Sequence, residues 1–295
     1  MQFERRYRYA ELRRPRFRPI PVRMLVPNFI TLLAICAGLT AIRLSTEGRM
    51  ELAVAAIVFA AVLDGLDGRV ARMIKGQSKF GAELDSLADF VNFGVAPGLI
   101  IYFWQLHELH DGGWIAAMVF AISGGLRLAR FNASMDDPNK PPFASNYFTG
   151  VPAPAGAVTA LLPIYLGFLG VPMPPAMLTA LYTLLIAFLM VSRLPVFSGK
   201  SIRLRVPPEL VLPVFVCVIF FIALLIGYPW HILSAGSVLY LFSLPMGWKS
   251  YRDHKRVYDA ANAPAPAAAA PPASAPTMAS PVVDPSKDER PERLH

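Results

Sequence analysis

Charge is scarce in this chain: only 16% of its 295 residues are Asp, Glu, Lys or Arg. A soluble domain carries about 25%. With a mean hydropathy of +0.45, that scarcity excludes an ordinary water-soluble fold and points to a polytopic membrane protein. Cysteine is nearly absent. Cys36 and Cys217 are the only two, and both sit inside apolar runs. They make neither a disulfide framework nor a thiolate metal site, and they read as small buried hydrophobes. A signal peptide is also missing, since the first 23 residues hold eight arginines and no apolar h-region. The first apolar run is therefore expected to act as the insertion signal. No internal repeat stands out.

What the chain does have is long apolar segments. Eight runs, at about 25–44, 51–69, 84–106, 113–131, 150–170, 175–192, 208–227 and 230–248, approach the roughly 17–25 residues that cross about 30 Å of hydrocarbon. Gly and Pro interrupt several of them, which membrane helices tolerate. The expected fold is an all-α polytopic membrane protein of about eight transmembrane helices. Its expected parts are a basic cytoplasmic arm (1–24), a transmembrane core (25–200), two additional helices (201–248) and a cytoplasmic Ala/Pro-rich tail (249–295).

Positive charge falls on alternate connections. Arg69, Arg72, Lys75 and Lys79 join runs 2 and 3; Arg127, Arg130 and Lys140 join runs 4 and 5; Arg193, Lys200, Arg203 and Arg205 join runs 6 and 7. The opposite side has Arg43 and Arg49, then no Lys or Arg in "QLHELHDGG", "GVPMPP" or "GYPWH". This asymmetry places both termini in the cytoplasm, with the chain in the cell (inner) membrane. The net charge of +8 borders the spans, so anionic lipid rather than nucleic acid is the expected partner. The arm "FERRYRYAELRRPRFRPIPVR" reads equally as a lipid-bound strap or a topogenic tail, with three prolines cutting any helix short. The residues from Ala260 onward are expected to be disordered.

Against this background residues 63–89, "LDGLDGRVARMIKGQSKFGAELDSLAD", stand out. Positions three, four or seven apart share a helix face. Asp64, Asp67, Gly68 and Ala71 form one stripe, bordered by Arg72. Gly81, Asp85 and Asp89 form a second, extended by Asn92. Two antiparallel helices joined by a short connection can bring the stripes face to face. Crowded carboxylates repel one another, and a multivalent cation relieves that. Oxygen donors without His or Cys suit Mg²⁺, Mn²⁺ or Ca²⁺ rather than Zn²⁺, and phosphoryl-transfer sites often use two ions. The small residues leave room for a ligand, and Arg72 is a cation of the kind that clamps phosphate.

The stretch fits D-x2-D-G-x2-A-R-x8-G-x3-D-x3-D throughout, and in this it resembles the CDP-alcohol phosphotransferase family. The resemblance implies a six-helix membrane core that moves a phosphatidyl or related group from a CDP-alcohol to an alcohol, releasing CMP. It implies that Asp64, Asp67, Asp85 and Asp89 hold two divalent ions, Mg²⁺ or Mn²⁺, and that Asp89 is the base. Gly68, Ala71, Arg72 and Gly81 would line the site of CDP-diacylglycerol. Ser78 and, in "PNFIT", Asn28 and Thr31 match further nucleotide-contact positions; a helix N-terminal cap is an equal reading for Asn28 and Thr31. A homodimer is implied as well.

"DSLADFVNFGVAPG", "LRLARFN", "FTGVPAPAGA" and "LMVSRLPVFSGK" resemble the bacterial phosphatidylserine synthase branch of that family, which implies L-serine as the acceptor. Arg127 and Arg130, three apart, can fork onto a carboxylate or snorkel to lipid phosphates. Asn92 can meet the acceptor or bond between helices. Ser123, Gly124 and Gly125 read as close helix packing. The same chemistry on glycerol phosphate, inositol phosphate or choline is the alternative. A divalent-cation or solute transporter is the reading from another class, disfavoured because the acids gather at one edge rather than at the midplane.

Overall fold

The computed structural model describes residues 25–74, 78–135, 147–197 and 208–261. The basic arm, most of the tail and the basic residues Lys75, Lys140, Lys200, Arg203 and Arg205 lie outside them. The described residues are almost wholly helical. In chain order they form α1 (Leu25–Thr46), α2 (Met50–Met73), α3 (Lys79–Asp89), a π-helical turn (Phe90–Val95), α4 (Ala96–Trp104), α5 (Asp111–Met135), α6 (Ala153–Ala160), α7 (Leu162–Phe168), α8 (Ala176–Val191), α9 (Pro208–Gly227) and α10 (Pro229–Ala261). A short antiparallel pair joins β1 (Tyr147–Thr149) to β2 (Pro195–Phe197). The chain divides into a unit ending at His254 and a unit from Lys255 onward; of the second, only the end of α10 is described.

Helical rods occupy every one of the eight apolar runs. Four of them are long and apolar enough to cross a membrane: Leu25–Thr46, Lys79–Trp104, Asp111–Ser134 and Leu210–Gly227. The second rod has the length, but Asp64, Asp67 and Arg69 interrupt its apolar sequence. The outer surface carries Phe29, Leu33, Phe59, Phe188 and Phe220 as exposed side chains. So much uncovered apolar surface suits hydrocarbon, not water. Cys36 and Cys217, expected inside, are both exposed. Cys36 lies on the outward side of α1, and α9, which carries Cys217, has no buried residue among its described side chains, so apolarity alone did not say what turns in.

Small residues set the packing. The buried side of α1 is Pro27, Thr31, Ala34, Gly38, Ala41 and Ser45, spaced alternately four and three apart. It meets Ala53, Val54, Ile57, Ala60, Leu63 and Asp67 of α2. Such faces let helix backbones approach closely. The expected packing role of Gly124 is met: a Cβ there would lie 3.0 Å from the Cα of Gly94.

Two interruptions have identifiable causes. Pro97 has no N–H to offer the carbonyl of Phe93. The backbone widens just before it, and the N–H of Ala96 reaches back five residues to the Val91 carbonyl. The resulting π turn holds Asn92, Phe93 and Gly94 in the interior. The expected run 150–170 is likewise split, at Leu161. Pro163 leaves the Thr159 carbonyl without its helical donor, and the Tyr182 hydroxyl of α8 donates to it instead at 2.7 Å. Behind the strand pair, Gly150 turns at φ +78, where a Cβ would lie 2.5 Å from the Met190 carbonyl oxygen. Only glycine fits there.

Candidate active site

A cleft of about 320 Å³ opens where α1, α2 and α3 converge. Pro27, Asn28 and Thr31 line it from α1, Asp67, Gly68, Ala71 and Arg72 from α2, and Gly81, Ala82 and Asp85 from α3, with Ser78 just before it. All seven residues of the nucleotide set expected from sequence are thus gathered on one surface, together with Pro27 and Ala82, which the sequence reading did not single out.

The local causes are visible. Ser78 has extended backbone and accepts from the Gly81 N–H at 2.9 Å, so it is the N-cap of α3. A Cβ on Gly81 would come within 2.8 Å of Asn28 Oδ1 and 3.1 Å of Ser78 Oγ, which is why this wall of the cleft has no side chain. Thr31 lies a full turn inside α1. Its hydroxyl donates to Asp67 Oδ2 at 2.7 Å, tying α1 to the acidic stripe.

The two stripes meet as their spacing required. Asp64, Asp67 and Asp85 each offer a carboxylate oxygen, and these oxygens lie within 4.8 Å of one another. The Asp89 carboxyl lies at hydrogen-bond distance from that of Asp64. Asp67 Oδ1 and Asp89 Oδ1 are buried with no hydrogen-bond partner. Among the described residues the only ion pairs are those of Glu47 with Arg43 and Arg49, at the far end of α1. Among the described residues, then, no cation is paired with Asp64, Asp67 or Asp85. At 4.8 Å two carboxylates repel by about 3.5 kcal/mol at an effective dielectric of 20. Hard oxygen donors, mutual repulsion and unused inward-facing oxygens together fit a divalent cation. His107 and His110 bond to backbone carbonyls of Tyr102 and Glu108 beyond the end of α4, far from the aspartates.

Past Asp89 the interior stays polar. Asn92 is 1% exposed. Neither its Oδ1 nor its Nδ2 has a partner, so no interhelical bond engages it; Gly38 of α1 clears the space it fills, since a Cβ there would lie 2.0 Å from Asn92 Oδ1. Arg127 is 8% exposed. Its charge faces Asp89 and Tyr240, and it lies over the Phe131 ring at 5.3 Å. Arg130 goes elsewhere: it donates to the Val191 carbonyl at the end of α8. Residues three apart on a helix differ by about 60° in direction, enough to send two long side chains to different neighbours. Tyr240, on the last helix, carried no signal in the sequence.

The family profile of CDP-alcohol phosphatidyltransferases matches residues 24–194, and a second, CDP-alcohol phosphatidyltransferase 2, matches residues 209–245. Among curated proteins, a CDP-diacylglycerol–serine O-phosphatidyltransferase of Mycobacterium leprae is 37% identical over 81% of this chain and 79% of its own length. One of Helicobacter pylori is 36% identical over 78% of this chain and 93% of its own. One of Bacillus subtilis is 39% identical over 36% of this chain and 60% of its own. The chain belongs to the CDP-alcohol phosphatidyltransferase family.

Proposed function

We propose that this protein transfers the phosphatidyl group of CDP-diacylglycerol to the hydroxyl of L-serine, releasing CMP and forming phosphatidylserine. The observation that carries the reading is the convergence of Asp64 with Asp67 and Asp85, two of the residues that line a cleft together with Arg72. The serine phosphatidyltransferases that match most of its length support the choice of acceptor.

In this reading Asp64, Asp67, Asp85 and Asp89 hold the divalent ions, Mg²⁺ or Mn²⁺ and two in number. Bound there, the ions neutralise pyrophosphate charge and stabilise the departing phosphate. The chain's own residues do the rest. Gly68, Ala71 and Gly81 leave the cleft wall flat for the nucleotide, with Asn28, Thr31 and Ser78 along its edge. Arg72 holds a phosphate oxygen. Asp89 takes the proton of the serine hydroxyl, whose own acidity is far too low at neutral pH. The oxygen bonds to the lipid-bearing phosphorus as the bond to CMP breaks, and positioning supplies most of the acceleration. Asn92 and Arg127 lie past Asp89, on the side where the acceptor must arrive. Arg130 supports that side through Val191.

The same reading sets all eight rods in the cell (inner) membrane as spans, as a homodimer, with both termini and the cleft at the cytoplasmic face. The uncovered apolar exterior and the positive connections support that placement.

The test is an acceptor panel. Purified protein receives CDP-diacylglycerol, Mg²⁺ or Mn²⁺, and serine, glycerol phosphate, inositol phosphate or choline in turn. CMP is expected with serine alone. Release with another alcohol and not with serine overturns the acceptor, and release with none overturns the reaction.

Thr31 gives a separate prediction. Thr31→Val keeps the shape and removes the bond to Asp67. Losing an outer partner of a ligand commonly costs about 10–100-fold in metal affinity, so the metal concentration for half-maximal activity should rise by that order. An unchanged metal titration would count against Asp67 as a ligand.

A further inference from the structure

The last helix turns one side inward. Trp230, Leu233, Tyr240 and Leu244 pack against the core, and Ser237 donates to the Val158 carbonyl of α6 at 3.4 Å. At its start the Trp230 ring stacks with Tyr165 at 6.4 Å and meets Phe168 at 4.6 Å. The stripe fixes how α10 is rotated, and that rotation carries the Tyr240 side chain into the bundle.

Its hydroxyl ends in an unusual place. The oxygen is buried and has no hydrogen-bond partner, although a buried phenol normally finds one. The charged group it faces is Arg127. Arg127 is itself 8% exposed, and none of its five N–H donors is bonded among the described residues. On its other side Arg127 faces Asp89. Side chains from α3, α5 and α10 therefore lie close enough for their charges to interact, and the Tyr240 hydroxyl and Asp89 Oδ1 among them are buried without a partner. A group of this kind is costly unless something else completes it.

We propose that Tyr240 is an acceptor-binding residue whose hydroxyl donates to the carboxylate of the incoming amino acid while Arg127 pairs with that carboxylate. This rests on the serine reading above. The nucleotide is an unsuitable occupant, because the cleft formed by α1, α2 and α3 includes neither Arg127 nor Tyr240. Asp89 lies between the two regions, beside Asp64 on one side and Arg127 on the other. A base that takes a proton from the acceptor has to stand there. A guanidinium accepts a carboxylate through two parallel bonds, and a neutral phenol can add a third without introducing repulsion. The last helix, outside the longer of the two family matches, then takes part in reading the acceptor.

Tyr240→Phe removes one oxygen and keeps the ring. In full-length protein reconstituted with CDP-diacylglycerol and metal, the KM for serine should rise about tenfold or more, the scale of losing a hydrogen bond to a charged group. The KM for CDP-diacylglycerol should stay put. Preference for serine over serinamide, which lacks the carboxylate, should shrink in the same variant. Tyr240→Gln, which restores a donor, should retain part of the serine affinity and provides the comparison if the Phe variant folds poorly. An unchanged serine KM, equal shifts for both substrates, or an undiminished preference over serinamide overturns the proposal. So does equal loss in the Phe and Gln variants. Wild-type protein that makes no phosphatidylserine instead defeats the serine reading itself, so the two failures are distinguishable.

Discussion

Asp89→Asn should slow CMP release by about 10²–10⁴-fold, the usual contribution of a general base, without unfolding the protein. The substitution is nearly isosteric, and it removes the oxygen that can accept a proton. Asp89 ends α3, one residue before the π turn, with one carboxylate oxygen buried and unpartnered. Its charge interacts with Asp64 and Asp85 of the acidic cluster and with Arg127. No other carboxylate of the cluster has both kinds of neighbour. The measurement is single-turnover CMP release, accompanied by a melting curve of the detergent-solubilised variant. Full activity in a folded variant would remove Asp89 from the base role.

Stripping divalent ions should have the other large effect. A chelator is expected to abolish turnover, and Mg²⁺ or Mn²⁺ should restore it. The reason is electrostatic before it is catalytic. Three carboxylate oxygens within 4.8 Å of one another have no basic residue paired with them among the described residues. A pyrophosphate added to that cluster brings more negative charge, and Arg72 alone cannot offset it. Binding of CDP-diacylglycerol should therefore weaken along with turnover, which a direct binding measurement can read apart from catalysis. Undiminished binding and turnover in excess chelator would contradict the metal assignment.

Much of the site was legible because its chemistry is local. Asp64, Asp67, Gly68, Ala71 and Arg72 lie within nine residues, and Gly81, Asp85 and Asp89 within nine more. Helical spacing suffices to place each group on one face. The rods were legible as well, since apolar length is the signal for them. The third begins earlier than expected, at Lys79 rather than near 84, because Ser78 caps a polar turn that hydropathy passes over.

What stayed hidden depends on rotation and on distant neighbours. An apolar helix gives little sign of which side turns inward, or whether any does, so Cys36 faces out, Cys217 lies on a helix with no buried described residue, and Tyr240 faces in without warning. Arg127 and Arg130 share a sequence pattern and still part company, because Val191 stands opposite one and Asp89 opposite the other. The π turn arises before Pro97, where Gly94 packs closely against Gly124 of α5. Proline was visible in the sequence, but the partner was not. Sequence thus located the aspartate end of the candidate site, while the surroundings of Arg127 and Tyr240 needed the assembled bundle.

The central claim is that one cleft joins a CDP-bound lipid to serine. The most direct test counts both products from the purified protein supplied with CDP-diacylglycerol, serine and Mg²⁺ or Mn²⁺. CMP and phosphatidylserine should form mole for mole, and neither should form when serine or metal is withheld. CMP released at the same rate without serine, or a lipid product that contains no serine, would contradict it.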